Sequence, residues 1–278
     1  MKIYLATKLS RRWSVTVLLA LILFPLLTGG QTPPPVSVKV AAAADLQFAM
    51  QNLAARFEKQ TGTKIDVTYG SSGNFFAQLQ NGAPFDVFFS ADLEYARKLD
   101  AANLAEPGTL CEYAVGRLVL WAPADSKVDI TKDQWKSLLD PGVDKIAIAN
   151  PAHAPYGKAA IAALQSAGIY EQVKSKLVYG ENISQTAQFV QSGNAQLGLL
   201  ALSLVVAPAM KNGRAWIVPA ATYPPIEQGA VVLRGSQNKA AARSFLDFVR
   251  GTEGSATLQQ YGFAVPDSER PRGTHKQR

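Results

Sequence analysis

Short apolar runs alternate with segments of helical periodicity in the first third of the chain. The run "VSVKVAAAA" at residues 36–44 is typical of a buried strand. Apolar residues then recur at helical spacing as far as Gly62, at Leu46, Ala49, Met50, Leu53, Ala54 and Phe57. The alternation continues with strands predicted at 63–69 and 85–91 and helices at 74–82 and 93–103. This order predicts a mostly parallel sheet flanked by helices, which binds ligands at the carboxyl ends of its strands.

A second α/β series follows the first. The predicted strands lie at residues 114–123, 145–150, 176–180 and 195–202, and the predicted helices at about 158–167 and 184–193. A strand at 229–235 and an amphipathic helix at 238–251 complete the pattern. We therefore predict two lobes, with residues 36–115 and 231–266 in lobe I and residues 116–230 in lobe II. The strands at 116–121 and 229–233 are the candidate crossovers between them.

The two ends of the chain differ from this pattern. Residues 1–30 have the plan of a secretory signal peptide, with basic residues ahead of the apolar run "WSVTVLLALILFPLL" and small residues after it. A membrane anchor is the alternative, but a run of 15 residues that contains Pro25 is shorter than the roughly 20 residues needed to span a bilayer. A stiff proline-rich spacer at 31–35 and a disordered polar tail at 267–278 are also predicted. We expect an exported, periplasmic protein.

The formal charge of +7 suggests a nucleic-acid partner only until it is divided along the chain. The signal peptide and the tail each hold four basic residues, and residues 36–266 carry 20 basic and 19 acidic residues. A net charge of +1 predicts no nucleic-acid surface. The single cysteine, Cys111, excludes an internal disulfide and is expected to be a packed thiol.

Three strand-to-helix junctions are candidate binding elements. They are "AAAADL", "YGSSGNF" and "NPAHAPYGKAA". Each presents backbone N–H groups and the positive end of a helix dipole, an arrangement that suits an anion. Any one of them could be an ordinary helix cap, since Ser and Asp are preferred at that position. The combination of all three, in an exported chain with two lobes, favours an anion site.

The motifs of the whole mature chain resemble those of the periplasmic molybdate-binding proteins of ABC importers. The resemblance rests on "AAAADLQFAM", "YGSSGNF", "GAPFDVFFSAD", "YAVGRLVLWAP", "IANPAHAPYG", "GENISQTAQFVQSGNA" and "QQYGFAVP". It implies a two-lobed type II periplasmic binding protein fold that closes over one molybdate or tungstate dianion and delivers it to a membrane permease. We expect a monomer without catalytic activity, without a cofactor and without ligands for a bare metal ion.

The resemblance also implies which residues bind the oxyanion. They are Ala44, Asp45, Ser72, Tyr156 and the backbone of Ile183. Some relatives supply a tyrosine at the position of Ala201, and here Tyr156 would provide that phenol. These contacts are neutral hydroxyl and N–H groups, which can satisfy a dianion that has four acceptor oxygens.

Asp45 stands where relatives have Ser or Asn, and a carboxylate beside a dianion is repelled unless it is protonated or turned away. We expect its side chain to cap the helix that begins at Leu46. The alternative is that the ligand still carries a proton and that Asp45 accepts it, which would favour phosphate or arsenate.

Three other functions remain open from sequence. The chain could bind another oxyanion, such as sulfate or phosphate. The chain could also be an exported serine acyl-transferase, but "SQNK" at residues 236–239 stands in the wrong order relative to the other motifs of such enzymes. His153 is expected to be a loop residue rather than a catalyst. A sensor or adhesion module is the third.

Overall fold

The computed structural model describes residues 37–208 and 210–266. The predicted signal peptide at 1–30, spacer at 31–35 and tail at 267–278 lie outside the described residues, so those predictions stay untested. No helix within the described residues is both long and apolar enough to cross a membrane.

The first sheet has five strands in the order β2-β1-β3-β10-β4. Their bounds are Ser37–Ala43 (β1), Lys64–Gly70 (β2), Val87–Ser90 (β3), Cys111–Gly116 (β4) and Ile226–Val232 (β10). β1 pairs in parallel with β2 and β3, whereas β10 is antiparallel to β3 and β4. The interior strand β1 is buried from Val40 to its end, because helices cover both faces of the sheet.

The second sheet also has five strands, in the order β7-β6-β8-β5-β9. Their bounds are Leu118–Ala122 (β5), Ile146–Ala149 (β6), Leu177–Gly180 (β7), Leu197–Ala201 (β8) and Arg214–Ile217 (β9). β6 is parallel to β7 and β8, and β5 is antiparallel to β8 and β9.

The predicted two-lobed α/β fold is therefore confirmed, but the sheets are mixed and not mostly parallel. The reason lies in the strands beside each crossover. β5 enters the second sheet directly from β4, and β10 returns to the first sheet after β9, and each runs against its neighbours. The exact lobe boundaries stay a prediction. The predicted boundaries assign residues 226–230 to lobe II, whereas these residues belong to β10 of the first sheet.

Ten α-helices are found in the described part of the chain. Their bounds are Gln47–Thr61 (α1), Ser72–Gln80 (α2), Leu93–Ala101 (α3), Ile130–Asp133 (α4), Pro155–Ser166 (α5), Tyr170–Val173 (α6), Ile183–Gln191 (α7), Leu202–Val205 (α8), Lys239–Arg250 (α9) and Thr252–Gln260 (α10). Short 3-10 helices lie at Ala44–Leu46, Gln134–Leu139, Lys174–Lys176 and Ala220–Thr222. α1 buries its predicted apolar face and ends at Gly62, whose φ of +74° is the left-handed conformation that glycine adopts readily. Cys111 is a buried free thiol.

Candidate oxyanion-binding site

All five predicted site residues line one cavity between the two lobes. Ala44 and Asp45 follow β1, Ser72 begins α2, Tyr156 lies in the first turn of α5 and Ile183 begins α7. The cavity volume is about 10 Å³, close to the space that one buried water needs. The structure thus brings the predicted residues together around one small space.

The first wall comes from the serine-rich loop before α2. Ser71 is the helix cap, and its side chain accepts from the N–H of Asn74 at 3.4 Å. Ser72 is fully buried, and its Oγ accepts from the N–H of Ala91 at 2.9 Å. Because that bond uses a lone pair, the hydroxyl proton of Ser72 stays available to donate.

Tyr156 forms the wall on the side of the second sheet. α5 begins at Pro155, which has no N–H, and the N–H groups of Gly157 and Lys158 donate to the carbonyl of Ala154, so the N–H of Tyr156 is the first-turn candidate donor for a ligand. The Tyr156 ring is 2% exposed, and its hydroxyl has no hydrogen-bond partner within the described chain. That hydroxyl lies over Gly116, where a Cβ would stand only 2.2 Å from the phenol oxygen. Burial raises the pKa of Tyr156 well above its ordinary value, so the phenol stays neutral.

The start of α7 supplies a backbone donor. Asn182 is the cap, and its side chain accepts from the N–H groups of Ser184 and Gln185, each at 3.0 Å. The N–H of Ile183 is not used by this cap. Ile183 is buried and faces the cavity, which is the position predicted for it.

Asp45 does not cap a helix, so that expectation was wrong. It lies inside the 3-10 helix Ala44–Leu46, and neither that helix nor α1 has a side-chain cap. Its carboxyl instead accepts from the amide of Gln228 in β10, which itself accepts from the hydroxyl of Tyr113 at 2.6 Å. The side chain turns inward because residues 44–46 are all buried and the amide of Gln228 is within reach of the carboxyl.

The environment of the Asp45 carboxyl favours its neutral form. Burial raises the pKa of Asp45 to about 6, although the amide of Gln228 and the nearby phenol of Tyr156 lower it. The phenol is close enough for this effect but lacks hydrogen-bonding geometry, and Asp45 Oδ1 has no partner within the described residues.

Hydrogen bonds join the lobes around the cavity. The N–H of Gly73 donates to the carbonyl of His153 at 2.9 Å, and the hydroxyl of Ser71 lies 2.9 Å from His153 Nδ1. Ser184 donates to the carbonyl of Ala44 at 2.9 Å, and Ser203 to that of Asp45 at 2.7 Å. Sequence reasoning missed these bridging residues and Gln228. A polar residue inside the apolar strand "IEQGAVV" was the one signal that pointed to Gln228.

The cavity has no formal positive charge. Among the described residues that line it, none is lysine, arginine or histidine. The described part of the chain also holds no cluster of three or more His, Cys, Asp or Glu residues that could bind a metal ion. Besides the carboxyl of Asp45 and the amide of Asn182, the cavity therefore offers an anion hydroxyl groups, backbone N–H groups and helix dipoles.

The serine of the "SQNK" motif has a structural role. Ser236 is buried, and its hydroxyl donates to Asp86 at 2.6 Å and accepts from the N–H of Asn238 at 3.0 Å. These contacts tie the start of α9 to the segment before β3. Both Ser236 and Asp86 are buried, so this hydroxyl is held inside the fold by structural hydrogen bonds.

Comparisons with known proteins agree with this architecture. Residues 38–264 match the family described as bacterial extracellular solute-binding protein. The chain is 41% identical to the molybdate-binding protein ModA of Azotobacter vinelandii, over 82% of this chain and 90% of that protein. It is 38% identical to the molybdate-binding protein of Rhodobacter capsulatus, over 82% and 88%. The solved structure of the Azotobacter vinelandii periplasmic molybdate-binding protein superposes with a TM-score of 0.78 at 37% identity, covering 82% of this chain and 99% of that chain. The chain therefore belongs to the bacterial extracellular solute-binding protein family and groups there with the molybdate-binding proteins, which confirms the resemblance seen in its sequence.

Proposed function

We propose that the protein is the solute-binding component of an ABC importer, which captures molybdate in the periplasm and delivers it to the membrane permease. The observation that carries this proposal is the convergence of Ser72, Tyr156 and Ile183 on one interlobe cavity, whose described lining residues include no lysine, arginine or histidine. Relatives that share more than a third of the sequence are named for molybdate binding. Export, a monomeric state and binding of tungstate belong to the same proposal.

The chemistry of the cavity suits a tetrahedral dianion. Its four oxygens accept hydrogen bonds and donate none, so each can be matched by a hydroxyl or an N–H group. A hydrogen bond to a charged group contributes about 1.5–3 kcal/mol, and micromolar affinity requires about 8 kcal/mol in total. A few such bonds, from Ser72, Tyr156 and Ile183 and from first-turn N–H groups, are therefore sufficient without an ion pair.

Binding requires the lobes to move. The ligand contacts proposed for the cavity come from both lobes, so its walls must separate to admit an ion and then close around it. The motion would break the interlobe hydrogen bonds, such as those of Gly73 and Ser184. A hinged protein alternates in this way between an open form and a form closed on its ligand.

Calorimetric titration of the mature protein with molybdate, tungstate, sulfate and phosphate tests this function. We expect one molybdate or tungstate per chain and much weaker binding of sulfate and phosphate, because the lobes would close at a distance set by the longer metal–oxygen bonds. The variant Ser72→Ala removes one hydrogen-bond donor from the cavity and should weaken the binding of molybdate. Preference for sulfate or phosphate would instead support a different oxyanion carrier, and no binding of any of the four would refute the proposal.

A further inference from the structure

The carboxyl of Asp45 is the part of the site that the proposed function leaves unexplained. It is 1% exposed and lines the cavity, and its Oδ1 atom has no hydrogen-bond partner among residues 37–208 and 210–266. A buried carboxylate at hydrogen-bonding distance from a dianion would repel it strongly, since little water screens the two charges. The same group in its neutral form has a proton to donate.

The neighbours of Asp45 determine which oxygen can carry that proton. The hydroxyl of Tyr113 donates to Gln228 Oε1 at 2.6 Å, so the amide nitrogen of Gln228 faces Asp45 and donates to its Oδ2. Oδ2 is therefore occupied as an acceptor. Oδ1 is the atom left to hold a proton, and it lies near the unpartnered hydroxyl of Tyr156.

The groups packed against Asp45 provide no compensating positive charge. Its titratable neighbours are the phenols of Tyr113 on β4 and Tyr156 on α5. A third phenol, that of Tyr223, contributes to the raised pKa of Tyr156. Burial raises the pKa of both Tyr113 and Tyr156 well above the ordinary value, so both stay neutral. On β10 the contact is the uncharged Gln228, and on α8 it is Ser203, which donates to the Asp45 carbonyl. None of the described groups that act on the carboxyl is lysine, arginine or histidine.

We infer that Asp45 binds the oxyanion as a neutral carboxylic acid, which donates a hydrogen bond from Oδ1 to a ligand oxygen, so that one proton enters the site with each dianion. This inference rests on the proposed function and adds proton coupling to it. The proton comes from solvent and stays on Asp45, and no bond of the ligand is made or broken. Asp45 thus acts as a donor that is present only when protonated.

The pH range of the effect follows from the ligand-free protein. Burial raises the pKa of Asp45 to about 6, so the carboxyl is largely neutral at pH 5 and largely ionised at pH 8. A bound dianion raises this pKa further. Well above pH 6 each further unit of pH should therefore weaken binding about tenfold, and the loss between pH 6 and pH 8 should be about 50-fold.

The test is calorimetric titration with micromolar sodium molybdate at pH 5, 6, 7 and 8, on wild type and Asp45→Asn. At pH 8 the titration is repeated in two buffers of different ionisation enthalpy, which measures proton uptake. Asparagine keeps an acceptor for Gln228 and places a permanent donor where the acid proton would be. We expect wild type to take up about one proton per ligand at pH 8 and to lose about 50-fold in affinity from pH 6 to pH 8. Asp45→Asn should vary less than about threefold and exceed wild type at pH 8.

Asp86→Asn is the matched control. Asp86 is also buried, but it accepts from the N–H of Lys39 near the amino end of β1, opposite the end that meets the cavity. This variant should keep the pH profile of wild type. Wild-type affinity that is constant from pH 5 to pH 8, without proton uptake, would overturn the inference and leave the proposed function intact. Loss of binding in Asp45→Asn at every pH would overturn it too, because the carboxylate would then be needed as an acceptor for a protonated ligand. Failure of wild type to bind at any pH would refute the proposed function itself.

Discussion

Replacing Tyr156 with phenylalanine should separate ligand affinity from fold stability. The substitution removes one hydroxyl and leaves the buried ring in place. In the ligand-free protein that hydroxyl has no hydrogen-bond partner among the described residues, so its burial is uncompensated. A buried polar group without a partner costs about 1–3 kcal/mol. We therefore expect the free energy of unfolding of Tyr156→Phe to be at least as large as that of wild type.

The gain should lie near the lower end of that range, at about 1 kcal/mol. The phenol lowers the pKa of Asp45 and so gives some stabilisation to the ionised carboxyl, which phenylalanine cannot replace. In the ligand-bound protein the same hydroxyl is proposed to donate to an oxyanion oxygen. Its removal should weaken molybdate binding by about 1–3 kcal/mol, which is about 5- to 150-fold in the dissociation constant.

Urea unfolding of the ligand-free protein and calorimetric titration with molybdate measure the two effects. Tyr223→Phe is the matched control, because its hydroxyl accepts from the N–H of Leu118 at 3.1 Å and is not part of the cavity wall. That variant should lose stability and keep its affinity. If Tyr156→Phe binds molybdate as wild type does, the phenol is structural and our account of this wall is wrong.

Three further substitutions test other parts of the site. Asp45→Asn should raise the free energy of unfolding of the ligand-free protein by about 3 kcal/mol at pH 8 and not at pH 4. Because the folded-state pKa of Asp45 is raised from 3.8 to about 6, its contribution to stability is present below pH 4 and is lost as pH rises through 6, which urea unfolding at both pH values checks. Ser72→Ala should weaken molybdate binding by about 1–3 kcal/mol in calorimetric titration, and unchanged affinity would show that the Ser72 hydroxyl does not contact the ligand. Gly73→Ala places a Cβ 2.7 Å from the carbonyl of His153 and should oppose lobe closure, with a loss of affinity of about 1–3 kcal/mol. Gly235→Ala, which meets nothing within 4 Å, is its control, and equal affinities of the two variants would show that closure tolerates the extra methyl group.

The fold was predictable where burial is periodic. The apolar stripe of α1 and the buried run of β1 are dictated by local pattern, and both are found close to the predicted positions. α5 begins at Pro155, three residues before the predicted start at 158, because proline is well placed at the first helical position. The direction of β5 and β10 was not predictable, since strand direction depends on how the chain crosses between lobes and not on side-chain pattern.

The candidate site was predictable at its junctions and not beyond them. Helix starts with small or hydroxyl residues can be recognised locally, and those carrying Ser72, Tyr156 and Ile183 line one cavity. The partner of Asp45 could not be found in this way. Gln228 is 183 residues away in sequence, and it reaches the carboxyl only because β10 returns to the first sheet. Capping preference alone therefore misplaced the Asp45 side chain.

The absence of a cation from the cavity wall explains why a single proton on Asp45 should matter so much. In a site with a lysine or arginine, an ionised aspartate would pair with that cation and its pKa would fall. Here the described groups around the carboxyl are an amide, phenols and backbone, and none of them carries a positive charge that could balance an ionised Asp45 when a dianion binds. Protonation converts the same side chain from the one repulsive group in the cavity into a donor comparable to Ser72 and Tyr156. A site built from neutral donors thus accommodates aspartate only as an acid, and the affinity of the protein for its anion becomes a function of pH.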